Sequence, residues 1–274
     1  MPAYNCEAYI GESIRSVQQQ TYENWELIIT DDLSSDGTVD LIETFVKNDA
    51  RIKLVKSKVN LGPSGARNIA IEAAQGAYIA FLDSDDIWCP EKLQKQISFM
   101  EDNDYLFSYT SYEKINGDGE PIGVVISAPK KVNYKKMLYY GDPIGNLTVA
   151  FNAEKLGKFF VPDIKKRNDF ALWLRIMSKC DCAYGIDEVL ARYRVHGGSV
   201  SSVKKRELIK YHWYLYRHIE NLSVVKSCTA IVTLIIVKYL RLTSERLQRL
   251  GYIKIKNNKV KNNKVQSKRS KADA

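Results

Sequence analysis

Apolar and polar positions alternate along the first hundred residues with two different periods. Ile10, Ile14 and Val17 recur at helical spacing after a cap expected at Asn5. WELIITDD is a short apolar run ending in two acids. DGTVDLIETFVKN returns to helical spacing, with Asp36 as the expected cap and Val39, Ile42, Phe45 and Val46 facing inward. RIKLVK alternates as a strand does, and the glycine-rich NLGPSGARN feeds another helix. AYIAFLD is a second buried run ending in acid, and a helix is expected from Pro90. Strands alternating with helices predict a parallel sheet covered on both faces.

From Tyr105 the rhythm changes. YLFSYTSYEKI and PIGVVIS flank Asn116, Gly117, Asp118 and Gly119 and predict a hairpin. FALWLRIMSK reads as a helix, AYGIDEVLARYRV as extended chain, and residues 206–247 as mostly helical. One element is out of place at the start. Met1 and Pro2 lead directly into a loop, where an alternating fold requires a strand, and none is legible in the sequence. A chain extended upstream by five to ten residues is expected to fold better.

Charge sharpens the division of the chain. The net charge is +9, yet the segment from Lys254 onward holds eight Lys/Arg and one Asp. The other residues therefore carry only about +2, so positive charge sits in the tail. A nucleic-acid-binding protein would spread it over the body; a basic tail suits an anionic surface or a solvated end. The five cysteines have no zinc-like spacing and read as reduced cytosolic thiols. The longest apolar run, Ser227 to Val237, is too short to span a bilayer.

The chemistry gathers where the apolar runs end. Asp31 and Asp32 close one, and Asp83, Asp85 and Asp86 close the other. Ligands of parallel sheets bind beyond the carboxyl ends of the strands, so both clusters fall on one functional edge. Carboxylates this close repel, and a hard divalent cation with oxygen ligands relieves the repulsion. Asp86 is expected to shape the turn into the next helix.

The order of MPAYN, SVQQQTYENWELIITDDLSSDGT, NLGPSGARN, AYIAFLDSDDIW, KRNDFALW and YRVHGGSVS resembles the family 2 glycosyltransferases over residues 1 to 202. The resemblance implies an α/β GT-A fold, with a Rossmann-like, mostly parallel central sheet flanked by helices. It implies a catalytic domain over 1–202, its nucleotide-binding half about 1–104 and its acceptor-binding half about 105–202. A helical extension follows over 203–250, and then a basic, disordered tail over 251–274. Asp83-Ser84-Asp85 looks like the family's DxD motif, with Asp85, Asp83 and His196 implied at a Mn²⁺ or Mg²⁺ ion. Asp31 matches the residue that reads the base, Pro2, Ala3 and Tyr4 match the loop against base and ribose, and Arg67 a basic residue near the nucleotide. Asp169 matches the catalytic base and is also a plausible helix cap by position. The residue before it is Asn168, where the family often carries Glu. Gly145, in GDPIGN, matches a glycine-containing acceptor loop.

The implied activity is an inverting transfer of glucose, galactose or N-acetylhexosamine from a UDP-sugar to a saccharide. That acceptor is expected to be a lipid-linked repeat unit of O-antigen, capsule or other bacterial surface polysaccharide. A cytoplasmic location follows, with peripheral contact at the inner face of the membrane through the aromatic and apolar residues of 206–247. The alternative donors are dTDP- and GDP-sugars. A nucleotidyltransferase would need a glycine-rich, basic first loop, which MPAYN lacks, and the near-neutral body argues against a nucleic-acid-binding protein.

Overall fold

In this computed structural model, residues 1–197 and 205–249 are described. The basic tail 251–274 and the end of YRVHGGSVS lie outside them. Strand β1 (Pro2–Ala3), helix α1 (Glu7–Gln18), β2 (Leu27–Asp31), α2 (Thr38–Asn48), β3 (Ile52–Lys56) and α3 (Gly62–Ala73) come first. β1, β2 and β3 form a three-stranded, all-parallel sheet in that order. The opening thus holds a short strand after all, with Pro2 opposite Thr30 and Ala3 opposite Asp31. β2 is buried at every residue, which is why its sequence is uniformly apolar up to the acids.

The chain continues through β4 (Tyr78–Ala80), β5 (Ile87–Trp88), α4 (Lys92–Asp102), β6 (Phe107–Ile115), β7 (Pro121–Ile126), β8 (Lys131–Asn133) and α5 (Tyr134–Tyr140). A 3₁₀ turn (Asn146–Thr148), β9 (Ala150–Asn152), α6 (Ala153–Leu156), α7 (Asn168–Met177) and β10 (Cys182–Arg194) complete the body. Among the described residues this second sheet runs β4-β9-β6-β10-β5, with β7 beside β6 and β8 beside β10. It is mixed: β6 and β10 are parallel, while β4–β9, β6–β9, β6–β7, β10–β8 and β10–β5 are antiparallel. The parallel arrangement read from the first half therefore holds in the first sheet and gives way in the second. A cleft of about 480 Å³ lies between β2 and β4, lined by Ile28, Ile71, Ile79, Phe81 and Trp88 among others.

Each sheet has its own core. Ile10, Ile14, Ile29, Ile42 and Ile52 pack around the first, as their spacing predicts. The second centres on Trp173, fully buried against Phe81 and Phe107. Asn5 is not the cap of α1; Cys6 is, and Asn5, in the left-handed region at φ 44°, accepts the Ser35 N–H instead. Gly37, not Asp36, takes the cap position of α2, while Asp36 just before it accepts the Thr38 N–H at 3.1 Å. α8 (Lys205–Tyr214), a π turn (Leu215–Ile219) and α9 (Val224–Arg249) follow the body. Tyr216 anchors them, fully buried with its hydroxyl donating to the Leu138 carbonyl. No helix among the described residues is long and apolar enough to cross a membrane. All five cysteines are free.

Candidate active site

The two acids after β2 separate at once. Asp32 builds structure: its Oδ1 accepts the Leu61 N–H at 2.7 Å, and its carbonyl accepts from Asn60 Nδ2. These bonds hold the loop that starts α3. Asp31 is 3% exposed, and its Oδ2 accepts the Ser34 N–H at 3.2 Å. Its Oδ1 is buried with no hydrogen-bond partner among the described residues. An unmet buried acceptor costs about 1–3 kcal/mol, and a ligand N–H beside Ala3 would meet it. Ala3 is 1% exposed and Pro2 half-buried, whereas Tyr4 stands on the rim at 53% exposure.

The acids after β4 are joined to parts of the chain that lie far off in sequence. A turn closes them, Asp86 N–H donating to the Asp83 carbonyl at 3.2 Å. Asp83 receives Arg67 Nη2 at 2.6 Å and Asn146 Nδ2 at 3.0 Å, one on each oxygen. Arg67 is 7% exposed, and its Nε is buried without a hydrogen-bond partner among the described residues. Asp85 Oδ2 lies 3.0 Å from His196 Nε2. Ser84 turns its carbonyl to the Ser13 hydroxyl. Asp86 closes the turn through its backbone, as expected, but its side chain, 1% exposed, accepts the backbone N–H of Arg194 at 2.9 Å.

Arg194, which lies in the YRVHGGSVS motif but is given no role by the sequence, organises this end. It is 1% exposed and donates to the Asp85 carbonyl at 2.8 Å, the Gly117 carbonyl at 2.8 Å and Glu12 Oε2 at 2.5 Å. It ties together the acid turn, the hairpin and α1. Asn146, the last residue of GDPIGN, likewise has no role assigned by the sequence.

The electrostatics of the turn follow from crowding. Burial, then the charge of Asp83, pushes the Asp85 carboxyl above its usual range. Asp86 is driven well above it by burial and by the charges of Asp83 and Asp85. Among the described residues no three His, Cys, Asp or Glu form a ready cage for an ion. Asp85 and His196 offer oxygen and nitrogen to a divalent cation, and the crowded negative charge favours one. That donor set suits a cation completed by waters and substrate phosphates.

Asp169 lies in the first turn of α7, half-buried. It is not the cap, because the helix begins one residue before it, at Asn168. Arg167 occupies the cap position in the left-handed region at φ 66°. Asn168 accepts the Asp169 N–H through Oδ1 at 2.8 Å and donates to Ser64 Oγ at 2.6 Å, tying α7 to the start of α3. Gly145 packs against Tyr112, where a Cβ would stand 2.9 Å from the ring. The structure thus joins Ala3 with Asp31, Arg67 with Asp83, and Asp85 with His196. Asp169 is tied to the helix that carries Arg67 through Asn168 and Ser64.

The glycosyl transferase family 2 model matches residues 1–157. TuaG of Bacillus subtilis (strain 168), named as a teichuronic acid biosynthesis glycosyltransferase, is 42% identical over 226 residues, covering 82% of this chain and 89% of TuaG. WfgD of Escherichia coli, a UDP-Glc:α-D-GlcNAc-diphosphoundecaprenol β-1,3-glucosyltransferase, is 43% identical over 218 residues, covering 78% of this chain and 82% of WfgD. In fold the chain is similar to S. aureus TarS in complex with UDP-GlcNAc, with TM-score 0.68 at 18% identity over 87% of this chain and 71% of that one. It is also similar to the mannosyltransferase PcManGT of Pyrobaculum calidifontis, with TM-score 0.57 at 17% identity over 92% and 81%. The fold is therefore GT-A, and the chain belongs to glycosyl transferase family 2.

Proposed function

We propose that the protein transfers a hexose, glucose first among candidates, from a UDP-sugar to the 3-hydroxyl of a GlcNAc linked through diphosphate to a lipid. The observation that carries the donor side is the unpartnered Asp31 Oδ1 beside Ala3, an acceptor suited to a nucleobase N–H. Pro2 and Ala3 form the wall against base and ribose, and Tyr4 closes the rim. Arg67 stands behind Asp83 and sets its direction toward the sugar nucleotide. Asp85 and His196, with the charge of Asp83 beside them, would hold Mn²⁺ or Mg²⁺. When bound, that ion supplies charge neutralisation to a diphosphate leaving group. The acceptor side follows the names of WfgD and WfaP, both UDP-Glc:α-D-GlcNAc-diphosphoundecaprenol β-1,3-glucosyltransferases.

Asp169 takes the proton from the attacking hydroxyl. One displacement with one base inverts the anomeric carbon, so an α-linked donor gives a β-glycoside. Residues 1–104 serve the donor and 105–202 the acceptor. α9 brings the site to the inner face of the membrane. One of its faces packs on the body through Leu234, while Val225, Val232, Ile235, Ile236 and Tyr239 are more than half exposed.

The test is incubation of UDP-glucose, Mn²⁺ and a synthetic GlcNAc-diphosphate-lipid with the protein, and with Asp169→Asn. A β-1,3 product from the wild type and a loss of at least about 100-fold in the variant are expected. UDP binding by calorimetry should be the same in both. An α-linked product, or near-normal transfer by the variant, overturns the reading.

A further inference from the structure

Helix α1 carries a second face beside its apolar one. Tyr9, Glu12, Ser13 and Ser16 recur at helical spacing, and each meets the acid turn, the strand after it or the end of β10. The Ser13 hydroxyl donates to the Ser84 carbonyl at 2.9 Å, and the Ser16 hydroxyl accepts the Trp88 N–H at 3.2 Å. Glu12 receives the Arg194 guanidinium. Tyr9, half-buried one turn earlier, offers a ring to the same region.

That ring bears on two groups of the site at once. Its centroid lies 4.8 Å from that of the His196 imidazole, with the planes tilted by 37°. The Arg194 guanidinium carbon lies 5.0 Å from the same centroid, within the range of a cation–π contact. The hydroxyl end faces the hairpin turn, where a Cβ on Gly117 would stand 3.8 Å from the oxygen. The Gly117 carbonyl in turn accepts from Arg194 at 2.8 Å. Hairpin and guanidinium thus keep the Tyr9 ring in place, and the ring meets His196.

His196 has need of such a neighbour. The Val195 N–H donates to the Ile115 carbonyl at 2.9 Å, so the sheet fixes the backbone beside His196. The direction of the imidazole is set by its own side-chain torsions, and a ring packed against it narrows them. Nε2 is held 3.0 Å from Asp85 Oδ2. Groups that orient a metal-binding histidine matter nearly as much as the histidine itself, and losing one costs about 10- to 100-fold in metal affinity.

We propose that Tyr9 is a positioning residue for the cation site: its ring holds the His196 imidazole toward Asp85 and couples it to Arg194 beneath the acid turn. This rests on the reading of Asp85 and His196 as ligands of Mn²⁺ or Mg²⁺.

The test measures Mn²⁺ binding to the UDP-loaded protein by calorimetry. The proteins compared are the wild type, Tyr9→Phe, Tyr9→Ala, His196→Ala and the double variant Tyr9→Ala with His196→Ala. Tyr9→Ala should weaken Mn²⁺ binding about 10-fold. Tyr9→Phe keeps the ring and should change it less than about twofold. UDP binding without metal should stay within about twofold in both. The double variant should bind Mn²⁺ within about twofold of His196→Ala alone, because the two side chains act through one ligand. Full Mn²⁺ affinity in Tyr9→Ala, or losses that multiply in the double variant, overturns the proposal and leaves His196 as a ligand. An equal loss of metal-free UDP binding in Tyr9→Ala overturns it too, by making Tyr9 a general support of the fold. Unchanged Mn²⁺ affinity in His196→Ala removes the ligand reading and this proposal with it.

Discussion

Two strand ends in this molecule look alike in sequence and are built for different tasks. β2 ends in Asp31 and Asp32, and the run from Tyr78 ends in Asp83, Asp85 and Asp86. At the first end hydrogen bonds do the sorting: Asp32 is satisfied by Leu61, and Asp31 keeps one buried oxygen open. At the second end charge does the sorting: the carboxyls of Asp85 and Asp86 are pushed up by burial and by their acidic neighbours. Under the proposed function, the first end would read a neutral N–H and the second would hold a cation. Acids at a strand terminus thus have no single meaning; the donors and charges brought to them from elsewhere assign it.

The contrast is open to attack in four places. Asp85→Ala strikes the cation side, and should lower kcat/KM by about 100-fold. It should weaken UDP-sugar binding with Mn²⁺ present and change metal-free UDP binding little. Equal losses with and without Mn²⁺ would merge the two ends into one. Arg194→Met removes the guanidinium clamp beneath the same turn from Glu12 and from the Asp85 and Gly117 carbonyls, while the backbone N–H to Asp86 remains. A loss of about 3 kcal/mol in urea unfolding is expected; a change under 1 kcal/mol would show the turn to be self-supporting.

Asp31→Ala strikes the hydrogen-bonding end, and should weaken UDP binding about 10-fold, equally with and without Mn²⁺. A purely metal-dependent loss would refute the division. The smallest effect concerns the platform behind the second end. Lys92 is fully buried with Nζ 4.1 Å from the Trp88 ring centroid, and burial lowers its pKa to about 7 from 10.5. Between those values the unfolded chain binds the proton that the folded chain has released, so stability rises with pH across that window. Lys92→Met removes the dependence. The Tm advantage of the variant should shrink from pH 7 to pH 10, and a constant gap would show Lys92 to be charged in the fold.

Much of this was legible in the chain. Apolar spacing located α1, whose periodic face is buried, and α2, whereas the β6–β7 hairpin was marked by its Asn-Gly-Asp-Gly turn, β7 itself being largely exposed, and α7 by an apolar run buried nearly all round. The acid ends were visible because a buried run cannot carry carboxylates until it reaches the edge. What was not legible depends on partners distant in sequence. Asp86 reads as a turn residue, yet it is bonded to Arg194, 108 positions on. Asn146 lies 63 positions from Asp83, and Asn168 lies 104 from Ser64.

The sequence by itself determined the alternation of helices and strands, the edge on which the chemistry gathers, and the family. Those follow from local periodicity and from motifs whose spacing survives without coordinates. The tertiary structure alone decided that the second sheet is mixed, that Arg67 and Asn146 hold Asp83, that His196 meets Asp85, and that Arg194 locks the turn. The physical reason is that a carboxylate's task is set by which donors and charges reach it, and here most of them come from strands and loops far along the chain.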